Sequence, residues 1–229
     1  MKKNILFATM LALTAPVLTS CSDDESEGKS RITTYAVLEM NGSAYETTQV
    51  GAAYADPGCV ATLGGEDVTD QIVTSGTVNT NQLGYYNLNY QVVNADGFAA
   101  SATRMVAVVD KNNFASPYFA ESQYGTRHYY NAPITIEDNG DGTYTIEDLA
   151  GGFYSYGRYP GYDAYGYDFF LEATLKLNAD NTIEVLEQGS WYWGDPIDEI
   201  ASATYDPVTG TISLSMVFSG APMYVTLTK

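Results

Sequence analysis

The chain has 229 residues, with 10 Lys and Arg against 28 Asp and Glu and a formal net charge of -18, which excludes nucleic-acid binding through a broad basic surface. Charged residues reach only 17% against 45% hydrophobic, so the acidity reflects missing bases and not the charge density that keeps chains disordered; the length allows one large or two small domains. Twenty Tyr and 21 Gly beside one His and two Cys favour β structure rich in turns and leave little for metal or thiol chemistry.

Lys2 and Lys3 open the chain, and an apolar stretch from Ile5 to Leu18 follows, broken by Thr9, Thr14 and Pro16. A membrane helix needs about 20 apolar residues, so residues 1–20 read as a cleavable signal. Leu18-Thr19-Ser20-Cys21 resembles the lipobox of bacterial lipoproteins. The resemblance implies cleavage before Cys21 and acylation of its sulfur; an ordinary secretory signal cut elsewhere is the alternative. Ser22-Asp23-Asp24-Glu25-Ser26-Glu27, within an acidic linker over 21–30, resembles the surface-export signal of Bacteroidetes lipoproteins. It also reads as a solvated spacer. Together the two resemblances imply a body anchored by lipid to the outer membrane and displayed at the cell surface, held stably because each buried methylene contributes about 0.8 kcal/mol. With Cys21 taken by lipid, Cys59 has no disulfide partner in the chain. Its neighbours Gly58, Val60 and Ala61 mark it as a small buried hydrophobe.

Residues 31–110 form the first folded part. Thr33 to Met40 reads as a strand running into the Asn41-Gly42 turn. Tyr86, Leu88, Tyr90 and Val92 alternate with Asn87, Asn89 and Gln91 as in a half-buried strand, and Asn94-Ala95-Asp96-Gly97 turns the chain into a second long strand, Phe98 to Val109. Tyr54-Ala55-Asp56-Pro57-Gly58, Gly65-Glu66-Asp67-Val68-Thr69, Gly76-Thr77-Val78-Asn79-Thr80, Gly84-Tyr85-Tyr86 with Tyr90, and Arg104 to Asp110 follow in order. This series resembles the Ig-like module of bacterial surface proteins and pesticidal crystal proteins, which implies a small sandwich that presents or spaces another domain and carries no catalytic residue. Asn79 departs from the family's usual Asp.

Lys111 to Pro117 reads as a short linker into a C-terminal β domain over 111–229, which holds 14 of the 20 Tyr. Turns at 138–142, 178–181, 206–210 and 219–222 separate alternating runs, with Leu171, Ala173, Leu175 and Leu177 on one face. Ile212, Leu214 and Met216 share a face, as do Met223, Val225 and Leu227. Six to eight antiparallel strands joined this way predict a β-barrel or sandwich of lipocalin-like outline, able to hold a pocket at its mouth. The whole chain is thus all-β, an Ig-like sandwich followed by this second β domain. Its order of parts resembles uncharacterised Bacteroidetes lipoproteins encoded with glycan-uptake systems, which implies a setting and no chemistry.

The segment from Phe153 to Phe170 carries nine aromatics in 18 positions, broken by Gly157, Pro160, Gly161 and Gly166 into a long loop or edge strands. Tyr159, Tyr162 and Tyr165 can stack on sugar faces, or they can cap the end of the barrel, which tight Tyr and Gly packing favours. Trp191 and Trp193 share one face of an extended segment at about 6.5 to 7 Å, near the repeat of neighbouring sugar rings, although filling a core is the commoner fate of such a pair. Glu137, Asn139 and Asp141 through Asp148 fit a calcium loop poorly at both ends, and a plain hairpin turn explains them. Asp163 with Asp168, or Asp195 with Asp198 and Glu199, are pairs that 28 acids supply without catalysis. A lone His128 offers no ligand set. The resulting expectation is a non-enzymatic, lipid-anchored binder of extracellular glycan, without cofactor, metal or nucleic acid. The alternative is a structural or interaction subunit that docks onto outer-membrane transporter components.

Overall fold

The computed structural model describes residues 33–229; Cys21, the signal over 1–20 and the acidic linker over 21–30 lie outside the described residues. The first part carries β1 (Ala36–Met40), β2 (Tyr45–Gln49), β3 (Cys59–Leu63), β4 (Glu66–Asp67), β5 (Val73–Ser75), β6 (Gly84–Val93) and β7 (Ala99–Val109). These make two sheets, β1-β3-β4 and β2-β7-β6-β5, packed as an Ig-like sandwich. Cys59, Leu88, Tyr90 and Val106 fill the space between them. The hairpin of β6 and β7 forms as the alternation predicts, with Tyr90 opposite Ala102. The turn at Asn41-Gly42 does something else: β1 pairs with β3 while β2 runs parallel to β7, so the turn carries the chain from one sheet to the other.

The motifs around Asp56, Tyr90 and Arg104 meet at the Arg104 side chain, which is 0% exposed. Its guanidinium pairs with Asp56 and donates to the carbonyls of Asn41, Ser43 and Gly58. Tyr90 donates to the same Asp56 carboxylate at 2.7 Å, and Tyr54 donates to Glu46 at 2.7 Å. Glu46 in turn lies 3.6 Å from Arg104 Nε. Burial works against the Asp56 charge, but the bonds from Tyr90 and the Gly58 N–H and the charge of Arg104 hold its pKa below the usual carboxylate value. A cation without water needs such a complete set of partners. These motif residues therefore gather around one buried guanidinium, with Asp56 on its solvent side.

The second part carries β8 (Pro117–Tyr124), β9 (Arg127–Asp138), β10 (Tyr144–Ile146), β11 (Ala173–Leu177), β12 (Ile183–Gln188), β13 (Glu199–Asp206), β14 (Thr211–Phe218) and β15 (Ala221–Thr228). Their order, β12-β11-β10-β9-β8-β15-β14-β13, is a meander in which the first and last strands pair, with Ser122 opposite Val225. One seam remains, between β12 and β13. It is joined by the bridge from Thr182 to Thr204 and by the Tyr205 N–H to the Asn181 carbonyl at 2.9 Å. The result is a nearly closed antiparallel barrel. Leu171, Ala173 and Leu175, with Ile212, Leu214, Met216, Met223, Val225 and Leu227, point inward and fill it, so the interior is packed core and not an open lumen.

The two parts join at the end where β8 begins. Phe119 points outward against Tyr45 and Tyr85, at 5.6 and 5.8 Å between ring centres. The Tyr85 hydroxyl accepts the Tyr118 N–H at 2.9 Å and has the carbonyls of Tyr118 and Ile134 at 2.5 and 2.8 Å. Residues 35–229 consequently form one compact unit. The stretch from Lys111 to Pro117, read as a linker, is tied into it: Ser116 Oγ accepts the Asp110 N–H at 3.0 Å, and the Lys229 ammonium donates to the Asp110 carbonyl at 3.0 Å.

Candidate functional site

The opposite end of the barrel, where β8 finishes at Tyr124, is covered by aromatic residues, and a buried carboxylate sets their path. Asp148 accepts the N–H groups of Ala150 and Gly152 at 2.9 Å each and of Leu171 at 3.2 Å. Burial pushes its pKa up to about 7, against the pull of those three donors. The turn it holds puts Gly151 and Gly152 at φ of +62° and +73°, tight against the barrel wall: a Cβ on either would lie 2.5 Å from a side chain, Val225 for the first and Ala132 for the second. Both positions thus need glycine for conformation and for space.

From there the segment expected as loop or edge strands winds into a π-helical turn, Phe153–Arg158, closed by the Tyr159 N–H to the Tyr154 carbonyl at 2.8 Å, and then a 3-10 turn, Tyr162–Tyr165. Such π turns are short and frequent at functional sites. Phe153 drops into the core against Tyr124 and Tyr129, at 5.9 and 5.1 Å.

The tryptophan segment enters from the unpaired part of the seam. The Gln188 amide bonds to both backbone groups of Ile197, at 3.0 and 3.1 Å, in the manner of a strand neighbour, and pinches the intervening residues into a loop. Trp191, Tyr192 and Trp193 are therefore not extended; the Gly194 N–H reaches back to the Trp191 carbonyl at 2.7 Å. Trp191 is 2% exposed and lies 4.5 Å from Phe218 and 5.1 Å from Tyr154. Trp193 stacks on it at 5.4 Å and is 38% exposed. The two rings form layers, one in the core and one at the surface, in place of a shared face.

Phe169, 8% exposed, is the hub of the surface layer. Tyr159 lies 4.9 Å from it, Trp193 5.7 Å, and Tyr162, Tyr167 and Tyr192 6.2 Å each. Of the residues singled out from sequence, Tyr159, Tyr162 and Trp193 come together around this hub. Trp191 supports them from below, and Tyr165, 79% exposed, sits at the rim against Tyr162 at 6.2 Å. Phe169, Tyr167 and Tyr192 were not singled out; the aromatic density signals them as a group, but only the turns decide which ring is buried and which is presented. Beside the hub, Ser155, Tyr156, Tyr159, Asp163, Phe169 and Phe170 line a cleft of about 270 Å³.

Most of the other candidates take structural roles, while Asp163 lines the cleft. The residues of the calcium-loop reading form a hairpin turn, with Asp141 accepting the Thr143 N–H at 2.9 Å, while Asp148 is buried in the barrel. Asp168 accepts the Phe170 N–H at 2.9 Å and Asp198 the Gly220 N–H at 3.1 Å. His128 bridges Glu121 at 2.6 Å and the Tyr130 hydroxyl at 2.8 Å. Cys59 is buried, and burial pushes its thiol pKa up.

Two family descriptions match the chain. Residues 38–108 match the Ig-like domain of bacterial surface proteins, and residues 109–229, just over half of the chain, match a "-like, C-terminal domain". A crystal structure of the lipoprotein BT2262 from Bacteroides thetaiotaomicron aligns over 85% of this chain and 100% of its own, with 29% identity and a TM-score of 0.55. Two structures from Clostridium perfringens ZmpB align at a TM-score of 0.29, too loosely to bear on fold or function. One is the M60 catalytic domain with its CBM51-1 and CBM51-2 domains, at 13% identity over 80% of this chain and 14% of that one. The other is CBM51-2 in complex with GlcNAc and INT domains, at 8% identity over 84% and 44%. No curated protein matches. The surface-protein Ig-like domain and the lipoprotein likeness set the chain among bacterial cell-surface proteins.

Proposed function

The chain belongs to the family of the C-terminal domain that spans residues 109–229, here joined to an Ig-like domain of bacterial surface proteins, and from that premise we propose that it is a non-enzymatic glycan-binding protein, anchored by lipid on Cys21 to the outer membrane and working in a glycan-uptake system. The observation that carries the reading is the ring cluster around Phe169, which presents Tyr162, Tyr167, Tyr192 and Trp193 to solvent at one end of the barrel. Rings with apolar faces and polar tips suit a ligand that alternates C–H faces with hydroxyls, as sugars do. The Ig-like domain packs at the other end of β8 from these rings.

Binding without hydrolysis is favoured by the acid content of the cleft. Glycosidases work with two carboxylates across the scissile bond, separated by about 5 to 9.5 Å. Among the described residues, Asp163 is the carboxylate that lines this cleft. The test is a glycan array probed with the full chain, with Tyr162→Ala and with Trp193→Ala. Loss of the bound signals in both variants is the expected result. An unchanged profile overturns the reading and leaves docking to transporter components as the use of these rings.

A further inference from the structure

We infer that the cleft beside Phe169 receives one uncharged sugar ring at the end of a glycan and turns away rings that carry a carboxylate or sulfate. The inference rests on the glycan-binding reading above and adds the class of sugar. Size comes first. At about 270 Å³ the cleft lies just below the roughly 300–1,000 Å³ of pockets that enclose a whole small ligand, so it holds a single ring while the neighbouring Trp193 and Tyr162 meet whatever follows.

Polarity comes second. Ser155 lines the cleft, and its hydroxyl is buried with no hydrogen-bond partner. A buried polar group left unpaired is costly, so a rotation of the Ser155 side chain that turns this hydroxyl into the cleft gains it a ligand hydroxyl as partner. Asp163, on the same wall, accepts a hydrogen bond from a second hydroxyl. Apolar ring faces from Tyr159, Phe169 and Phe170 complete the site. This combination matches a hydroxyl-bearing ring, and no Lys or Arg is among the residues that line the cleft.

Charge decides the class. Asp163 is the acidic residue that lines the cleft, and Tyr156, also on its wall, has its hydroxyl pKa pushed up to about 12, first by burial and then by nearby carboxyl groups. Arg158, the cation of this segment, lies 5.2 Å from the face of the Tyr159 ring. A carboxylate or sulfate entering the cleft would meet like charge in a partly desolvated setting.

The experiment titrates the full chain with oligosaccharides ending in glucose, galactose or mannose and with the same oligosaccharides ending in the corresponding uronic acids. At least one neutral probe is expected to bind about tenfold more tightly than its acidic counterpart at low salt, with the gap narrowing as salt rises. Asp163→Asn should also narrow the gap, and Ser155→Ala should weaken the neutral probe about threefold or more without unfolding the chain, since it removes an unpaired hydroxyl. Equal binding of neutral and acidic probes, with both lost in Trp193→Ala, overturns the charge selection and leaves the glycan reading standing. Binding of neither set overturns both.

Discussion

Trp191 and Trp193 stack with ring centres 5.4 Å apart and planes 28° from parallel, yet the first is sealed in the barrel core and the second reaches solvent. Two residues of one type, two positions apart, thus serve different ends. Trp191→Ala should cost about 3–5 kcal/mol of stability, the range for emptying a buried aromatic site. Trp193→Ala should leave most of the stability and remove glycan binding. Urea denaturation and glycan titration on the same two variants separate the roles; equal destabilisation by both would show that Trp193 is also core.

Arg104 and Asp56 stand 48 positions apart and meet inside the sandwich. Arg104→Ala leaves Asp56 and Glu46 without their cation and the Tyr90 and Tyr54 hydroxyls on uncompensated carboxylates; because both acids are partly exposed, the cost is expected at about 1–3 kcal/mol, below that of a fully buried pair. Asp56→Asn keeps an acceptor for Tyr90 and is expected to cost less. A double-mutant cycle between the two by chemical denaturation should give a coupling well above 0.5 kcal/mol, the limit of about 0.3–0.5 kcal/mol within which independent sites add.

Tyr85 is the polar joint between the sandwich and the barrel. Tyr85→Phe keeps its packing against Phe119 but leaves the Tyr118 N–H without its acceptor, at a cost of about 1–3 kcal/mol for an unpaired buried group. Calorimetry should show the loss as a lower or broadened transition. A variant indistinguishable from the parent would mean that the apolar contacts alone hold the parts together.

Asp148 makes stability depend on pH in an unusual direction for an acid. Its folded pKa is raised from the ordinary 3.8 to about 7, so the folded state keeps a proton that the unfolded chain releases near pH 4. The resulting stabilisation is fully present below pH 3.8 and is lost as pH rises through about 7, on the order of 4 kcal/mol in all. Asp148→Asn cannot release a proton, so its stability relative to the parent should rise between about pH 4 and 7. Denaturation midpoints of the pair across that window check the sign; a constant difference would rule the linkage out.

Much of the architecture is legible in the order of residues alone. The alternation at Leu171, Ala173 and Leu175, at Ile212, Leu214 and Met216, and at Met223, Val225 and Leu227 marks the inward faces that fill the barrel, because side chains of a strand alternate sides whatever the fold around them. Asn41-Gly42 marks a turn equally well, but not that it leads into a second sheet, since a turn signal is local and its strand partners are not. The motifs around Asp56, Tyr90 and Arg104 are visible as a pattern, while their convergence on one buried guanidinium is not.

The candidate site divides the same way. Composition and periodicity alone determine an all-β chain whose second half concentrates its tyrosines, because the burial pattern of strands and the turn preference of glycine are written residue by residue. Which aromatic rings face outward is decided only when Asp148 bends the chain over the barrel mouth and the open seam places Trp191 beneath Trp193. Exposure is a property of what packs against a ring, and here the packing partners come from residues 124, 154, 169 and 218, far apart in sequence and adjacent only in the folded barrel.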